Sequence, residues 1–315
     1  MSYKHFTRDD RVRLSVLLKT GVEVVRVGRI LSKDPISIRR EIKRNSVNGR
    51  YMPSKATRKA KERRTHRKRK IESEPKLREY VVTHLKLYWS PEQIAGRLRR
   101  DKVVIVHETI YGYIIRNKRL KKYLRCQKGK YRRRHGTVPR EKARKYEKKR
   151  WIGERPEMIN QRERLGDWEG DTIIGLERTQ RILTHVERKS LYLIADKLDV
   201  VSAEIVANTI ANRFRKLPKK KRCSITYDNG TEFAAHEMIE RITKMLIYFA
   251  NAYHSWERGT NENTNGLIRQ FFPKRSSFAK VTQEDVDRVA RLLNHRPRKK
   301  LNYLTPYEVF NCTSF

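Results

Sequence analysis

A chain of 315 residues, 37% of them hydrophobic, is long enough for two or three domains with a buried core in at least one. Lys and Arg number 76 against 35 Asp and Glu, and the formal net charge of +41 calls for a polyanionic partner. No apolar run approaches the roughly 18 residues of a membrane-spanning helix and the N-terminus carries no signal-peptide core, so the expected partner is nucleic acid and no membrane.

In chain order, Thr7-Arg8-Asp9-Asp10 has the form of a capping box and starts a helix with Leu14, Leu17 and Leu18 on its buried stripe. Gly21 ends it. Val24, Val27, Ile30 and Leu31 mark a second short helix, residues 32–35 a turn, and 36–44 a third helix with Ile38 and Ile42 inward. Ser37, Arg40, Lys43 and Arg44 then face out. Three short helices with a tight turn before a basic last one describe a helix-turn-helix whose final helix enters the DNA major groove, although any three-helix bundle shares the apolar pattern. Residues 1–54 are assigned to this DNA-binding domain, and 55–74, dense in Lys and Arg, to a flexible basic linker that meets phosphate.

Residues 75–118 predict a second helix-turn-helix-like DNA-binding domain. A helical pattern covers 77–87, Ser90-Pro91-Glu92-Gln93 is a strong helix start with Ile94 and Leu98 facing a core, and a recognition-like helix follows over 107–114. Residues 119–150 read as another basic linker along the phosphate backbone. Tyr123, Tyr131 and Tyr146 within 118–150 are expected to pack on a neighbouring domain rather than stack on bases. The three cysteines, Cys126, Cys223 and Cys312, have no metal-ligand spacing and suit a reducing, cytoplasmic setting.

From residue 151 to 315 acids and β-branched residues return. Strands are expected over 167–175, 181–188 and 191–198, a helix from Ser202 or Ala203 closed by Pro218, a strand over 223–227, a helix over 235–244, a strand over 246–250, and a helix starting near Thr260. Three strands, helix, strand, helix, strand, helix is the order of an RNase H-like, retroviral integrase-like α/β fold with helices on both faces of a mixed sheet. The fold class is therefore multidomain, all-α DNA-binding modules followed by an α/β RNase H-like catalytic domain.

Within that order Asp171 lies on the first strand, Asp228 ends the fourth, and Glu262 sits on the helix after the fifth. Divalent ions about 3.5–4 Å apart need several converging carboxylate oxygens, the hard ligands that Mg²⁺ prefers. Asp167, Glu169 and Asp171 alternate onto one face, so period alone does not choose among them; Asp171 is nearest the apolar part of the strand. On the last helix residues 258, 262, 265 or 266, and 269 share one stripe, where Glu262 with an arginine also reads as a solvated surface pair.

Four stretches together, Gly166-Asp167-Trp168-Glu169-Gly170-Asp171, Tyr227-Asp228-Asn229-Gly230-Thr231-Glu232-Phe233, Arg258-Gly259-Thr260-Asn261-Glu262-Asn263-Thr264-Asn265-Gly266 and Leu293-Asn294-His295-Arg296-Pro297-Arg298-Lys299, resemble the insertion sequence thirty family of bacterial DDE transposases. Tyr3-Lys4-His5-Phe6-Thr7, Arg39-Arg40-Glu41-Ile42-Lys43-Arg44-Asn45 and Trp89-Ser90-Pro91-Glu92-Gln93-Ile94 extend the resemblance to nearly the whole chain. It implies Asp171, Asp228 and Glu262 as a catalytic and metal-binding triad, with 33 residues between the last two. It also implies two Mg²⁺ ions per active site, with Mn²⁺ able to substitute. The substrate is then double-stranded DNA, as the terminal inverted repeats of an insertion sequence and as target DNA, handled by a homo-oligomer, at least a dimer, at the bacterial nucleoid. Arg258, Asn265 and Arg269 join Ser37, Arg40, Lys43 and Arg44 as expected DNA contacts. The alternative is a DNA-binding regulator or an inactive relative. Two places depart from the family pattern: Asn251-Ala252-Tyr253-His254-Ser255-Trp256 before the glutamate, and Gly28 and Ser32 where Ala and Gly are usual.

Overall fold

The computed structural model describes residues 5–65, 69–125, 149–251 and 259–312, in two compact units, 1–75 and 76–315. The first unit holds four helices of more than one turn: α1 (Arg8–Lys19), α2 (Val24–Leu31), α3 (Pro35–Asn45) and α4 (Pro53–Thr65), before the single turn α5 (Lys70–Ser73). The Thr7 hydroxyl accepts from the Asp10 amide at 3.0 Å while the Asp10 carboxylate accepts from the Thr7 amide at 2.9 Å, a closed capping box. Leu14, Val27, Leu31 and Ile38 form the core with Phe6, and Leu17, Leu18 and Ile42 pack around it. The two departures near the N-terminus lie in the last turn of α2 and at its C-cap. Ser32 takes a left-handed φ of 50°, and a Cβ on Gly28 would stand 2.9 Å from the Lys33 carbonyl oxygen.

The basic stretch expected as a flexible linker is helical as far as Thr65. Ala56 is fully buried, Lys59 donates to the Ser46 carbonyl at 3.3 Å, and Arg63 donates to the Arg44 carbonyl at 3.4 Å and to the Asn45 side chain. Cations at the carbonyl end of α3 satisfy its last acceptors and offset the helix dipole, which outweighs the repulsion within α4.

The second unit opens with α6 (Pro75–Lys86), α7 (Pro91–Arg100) and α8 (His107–Arg116). These helices belong to the same compact unit as the C-terminal sheet, rather than to a separate body. Gly96 of α7 lies flat on the Tyr303 ring, where a Cβ would come within 2.2 Å of ring carbon. Arg97 grips Glu308 with two hydrogen bonds of 2.9 and 2.7 Å. Burial acts to raise the Glu308 carboxyl, but Arg97 and the Thr305 cap outweigh it and hold it at about 2. Tyr123 meets Tyr88 edge-on at 5.7 Å, the intramolecular packing expected of it; Tyr131 and Tyr146 lie outside the described residues.

After α9 (Glu157–Asn160) comes the sheet: β1 (Asp167–Ile174), β2 (Arg181–Glu187), β3 (Leu193–Leu198), α10 (Ala203–Arg215), β4 (Ser224–Tyr227), α11 (His236–Thr243), β5 (Leu246–Phe249) and α12 (Gly259–Ile268). Its order is β3-β2-β1-β4-β5, with β1, β2 and β3 antiparallel and β4 and β5 parallel to β1. Two further helices, α13 (Gln283–Asn294) and α14 (Pro306–Asn311), complete the unit. Strand alternation sends Trp168, Leu183, Ile225 and Tyr227 to a core with α10 and Phe310 of α14. Ile173, Ile182 and Val186 go to the other face, against Leu267 and Ile268 of α12 and Val286, Val289 and Leu293 of α13. No helix among the described residues is long and apolar enough to cross a membrane.

Candidate active site

The acids of β1 separate by their partners. Asp167 is 2% exposed and accepts from Arg164 at 2.9 Å and from the Ser224 hydroxyl at 2.6 Å. Glu169, 1% exposed, is paired with buried Arg188 and accepts from the Asn261 amide at 3.0 Å. Asp171 alone is partly open, its carboxylate accepting from the Thr172 amide at 2.8 Å and the Asn265 amide group at 2.8 Å. Burial therefore distinguishes three residues that periodicity left equivalent.

β1 and β4 run parallel with Glu169 opposite Thr226. Asp171 and Asp228 each lie two residues beyond that pair, Asp228 just past the end of β4. Gly170 leaves room for the Tyr227 ring: a Cβ there would meet the ring at 2.1 Å. The Tyr227 hydroxyl bonds the buried His185 ring at 2.8 Å and so fixes the residue before Asp228. Burial pushes His185 down to about 3, so its ring is neutral. The Asp228 carboxylate accepts from the Gly230 amide at 3.0 Å, closing the turn after β4.

α12 lies along β1. Asn261 donates to the Glu169 carbonyl at 3.3 Å, Asn265 to Asp171, and Arg269 to the Ile174 carbonyl at 3.0 Å. Four helix residues advance about 6 Å and two strand residues about 6.6 Å, so the first step between elements keeps register. Thr184 of β2 closes the seam, its hydroxyl 3.3 Å from Asn261 Oδ1 and 3.1 Å from Asn265 Oδ1. Glu262 is exposed, one residue past the seam position Asn261. Among the described residues no three His, Cys, Asp or Glu side chains gather closely enough to hold a metal ion.

Of the expected DNA contacts, Arg40, Lys43 and Arg44 are exposed on α3, and Ser37, half-buried in its first turn, donates its amide to Asp34 at 3.0 Å. Asn265 is engaged inside the protein, by Asp171 and Thr184, because its helix face is the one that meets β1. Arg269 is half-buried and bonds backbone carbonyls, and burial pulls its guanidinium below the usual arginine range. Arg258 lies outside the described residues.

Further residues without an expected role matter here. Asn261 and Thr184 build the seam, and the spacing of Asn261 to Asn265, one helical turn, was the available signal. Glu232 accepts from Thr172 at 2.8 Å and pairs with Arg181 at 2.6 Å, tying the 228–233 turn to β1 and β2. No sequence pattern marks that tie, since it joins three separate segments.

No family model matches the chain. It is 41% identical over 320 residues to the transposase for insertion sequence element IS4351 of Bacteroides fragilis, covering 98% of this chain and 95% of that protein. It is 36% identical over 322 residues to the transposase InsI for insertion sequence element IS30A of Escherichia coli K12, covering 97% of this chain and 83% of that one. A putative integrase, ORF3 of Spiroplasma virus SpV1-R8A2 B, is 25% identical over 327 residues and 98% of both chains.

Proposed function

Because this chain belongs to the insertion sequence thirty family of transposases, we propose that it binds the terminal inverted repeats of its element and catalyses metal-dependent DNA cleavage and strand transfer. The α/β part is read as RNase H-like, and residues 1–54 and 75–118 as helix-turn-helix DNA-binding modules, with Arg40, Lys43 and Arg44 of α3 meeting DNA. Asp171, Asp228 and Glu262 are the catalytic triad. The single observation that supports it is the parallel pairing of β1 with β4 up to Glu169 and Thr226, two residues before Asp171 and Asp228, with α12, which bears Glu262, hydrogen-bonded along β1.

The donor set fits Mg²⁺, since carboxylate oxygens are the hard ligands it takes, and Asp171, Asp228 and Glu262 would hold it. When bound, Mg²⁺ supplies charge stabilisation to the attacking and leaving oxygens of an in-line phosphoryl transfer. The chain's own groups set the acids: Asn265 and the Thr172 amide orient the Asp171 carboxylate, and the Gly230 amide orients that of Asp228. In cleavage, a water oxygen bonds to phosphorus as the bond to the 3′-oxygen at the element end breaks. In joining, that freed 3′-hydroxyl attacks a target phosphodiester and displaces the next 3′-oxygen. Joining the element at both its ends needs two DNA ends held together, which calls for a homo-oligomer of at least two chains.

A regulator that only binds DNA gains nothing from carboxylates facing phosphate. The test is an element-end duplex incubated with the full chain in Mg²⁺ or in EDTA. Nicking and joining in Mg²⁺ alone are expected; DNA binding with neither product in Mg²⁺ would favour the regulator.

A further inference from the structure

Outside the acid site, three arginines converge without a carboxylate. Arg125 follows the short helical turn at 118–123, and Arg296 and Arg298 follow α13. Arg296 is 2% exposed, and Arg298 is half-buried. Among the described residues none of the three forms an ion pair. Burial first, then Arg298 and Arg125, pull the Arg296 guanidinium down to about 9, and burial with Arg125 pulls Arg298 down to about 10.

The unpartnered atoms are of one kind. Nε and Nη2 of Arg296, Nε of Arg298 and Nε2 of Gln270 are buried donors with no acceptor, while Arg296 Nη1 only grazes Gln270 Oε1 at 3.4 Å. A buried cation without a counter-charge is costly, and four donors without an acceptor call for an acceptor-only ligand. Phe271 and Tyr88 wall the place, with the Arg296 guanidinium carbon 6.0 Å from the Phe271 ring centre and the two rings 5.0 Å apart. Gly266 completes it: a Cβ there would stand 3.1 Å from Arg125 Nη2.

We propose that Arg125, Arg296, Arg298 and Gln270 form a pocket for one phosphodiester of bound DNA, clamped beside the helix that carries Glu262. Guanidinium forks match phosphate oxygens, and they supply both the charge and the acceptors that the cluster lacks. Gly266 is one turn beyond Glu262 on α12, about 6 Å along the axis, or roughly two nucleotide steps at about 3.4 Å each. A phosphate held there sets which phosphodiester reaches the acids. This inference rests on the DNA-binding part of the transposase reading, and not on its chemistry.

The test is the salt dependence of duplex binding by the full chain in EDTA, where no cutting occurs. Arg125→Gln, an exposed position, and Arg298→Gln should each lower the slope of log affinity against log salt, by up to about 0.9, the most that one shared phosphate contact can give, with affinity down severalfold. Wild-type slopes in both variants overturn the proposal. Thermal unfolding in inorganic phosphate against chloride of equal ionic strength separates the sources. A phosphate shift abolished by both variants while their DNA slopes stay unchanged assigns the pocket to a small free anion, and also overturns it. A chain that binds no DNA at all would defeat the transposase reading; unchanged slopes with binding intact defeat only the phosphate pocket.

Discussion

Asp167, Glu169 and Asp171 share a face of β1, and what each touches assigns its work. Glu169 neutralises Arg188, which is itself 5% exposed and held by the Ile159 carbonyl at 3.2 Å. Removing one partner of such a buried pair strands the other charge. Glu169→Gln should therefore lose about 3–5 kcal/mol in chemical denaturation, whereas Asp171→Asn should unfold like the wild type and lose cleavage. The reverse pattern would exchange their roles. His185 gives a second residue-scale expectation. Its folded pKa of about 3 lies below the unfolded value near 6.5, so unfolding takes up a proton between those values. The stabilisation is complete above pH 6.5 and is lost as pH falls towards 3, by about 1.4 kcal/mol per unit. The stability difference between wild type and His185→Gln, measured by urea unfolding across pH 7 to 5, should shrink at that rate; a flat difference would mean a charged ring in the core.

At the scale of elements, the seam between α12 and β1 makes Asn265 a positioning residue. Asn265→Ala removes the donor on Asp171 and the partner of Thr184, so cleavage should fall about 10–100-fold with duplex binding kept; a loss confined to binding would return Asn265 to the DNA surface. The elements themselves were largely legible. Thr7, Ser90 and Ser202 cap α1, α7 and α10 where the sequence puts helix starts, and β1 to β5 fall within a residue or two of the alternating runs. α13 is not among the expected elements, although Val286, Val289, Ala290 and Leu293 repeat at helical spacing behind a Thr282–Asp285 capping box. The helicity of α4 was not legible, since its charge run argues for self-repulsion, which burial of Ala56 and the bonds of Lys59 and Arg63 to the carbonyl end of α3 offset.

For the whole molecule, the division at residue 75 makes a further claim. The first unit has its own core around Leu14, Val27 and Ile38, and a 1–75 fragment should unfold cooperatively by circular dichroism and bind duplex DNA with steep salt dependence. A fragment without a cooperative transition would show that this unit needs the rest of the chain. The charge of +41 announced the polyanion from the outset, but it reports binding and says nothing of chemistry. The proposed chemistry rests on three acids on three elements, and bringing them together would depend on strand order and register, which composition does not encode. The most direct test exchanges one carboxylate for its amide. Glu262→Gln, at an exposed position where folding does not depend on the charge, should keep wild-type affinity for the element ends and lose both cutting and joining in Mg²⁺. Strand transfer by that variant at the wild-type rate would contradict the account.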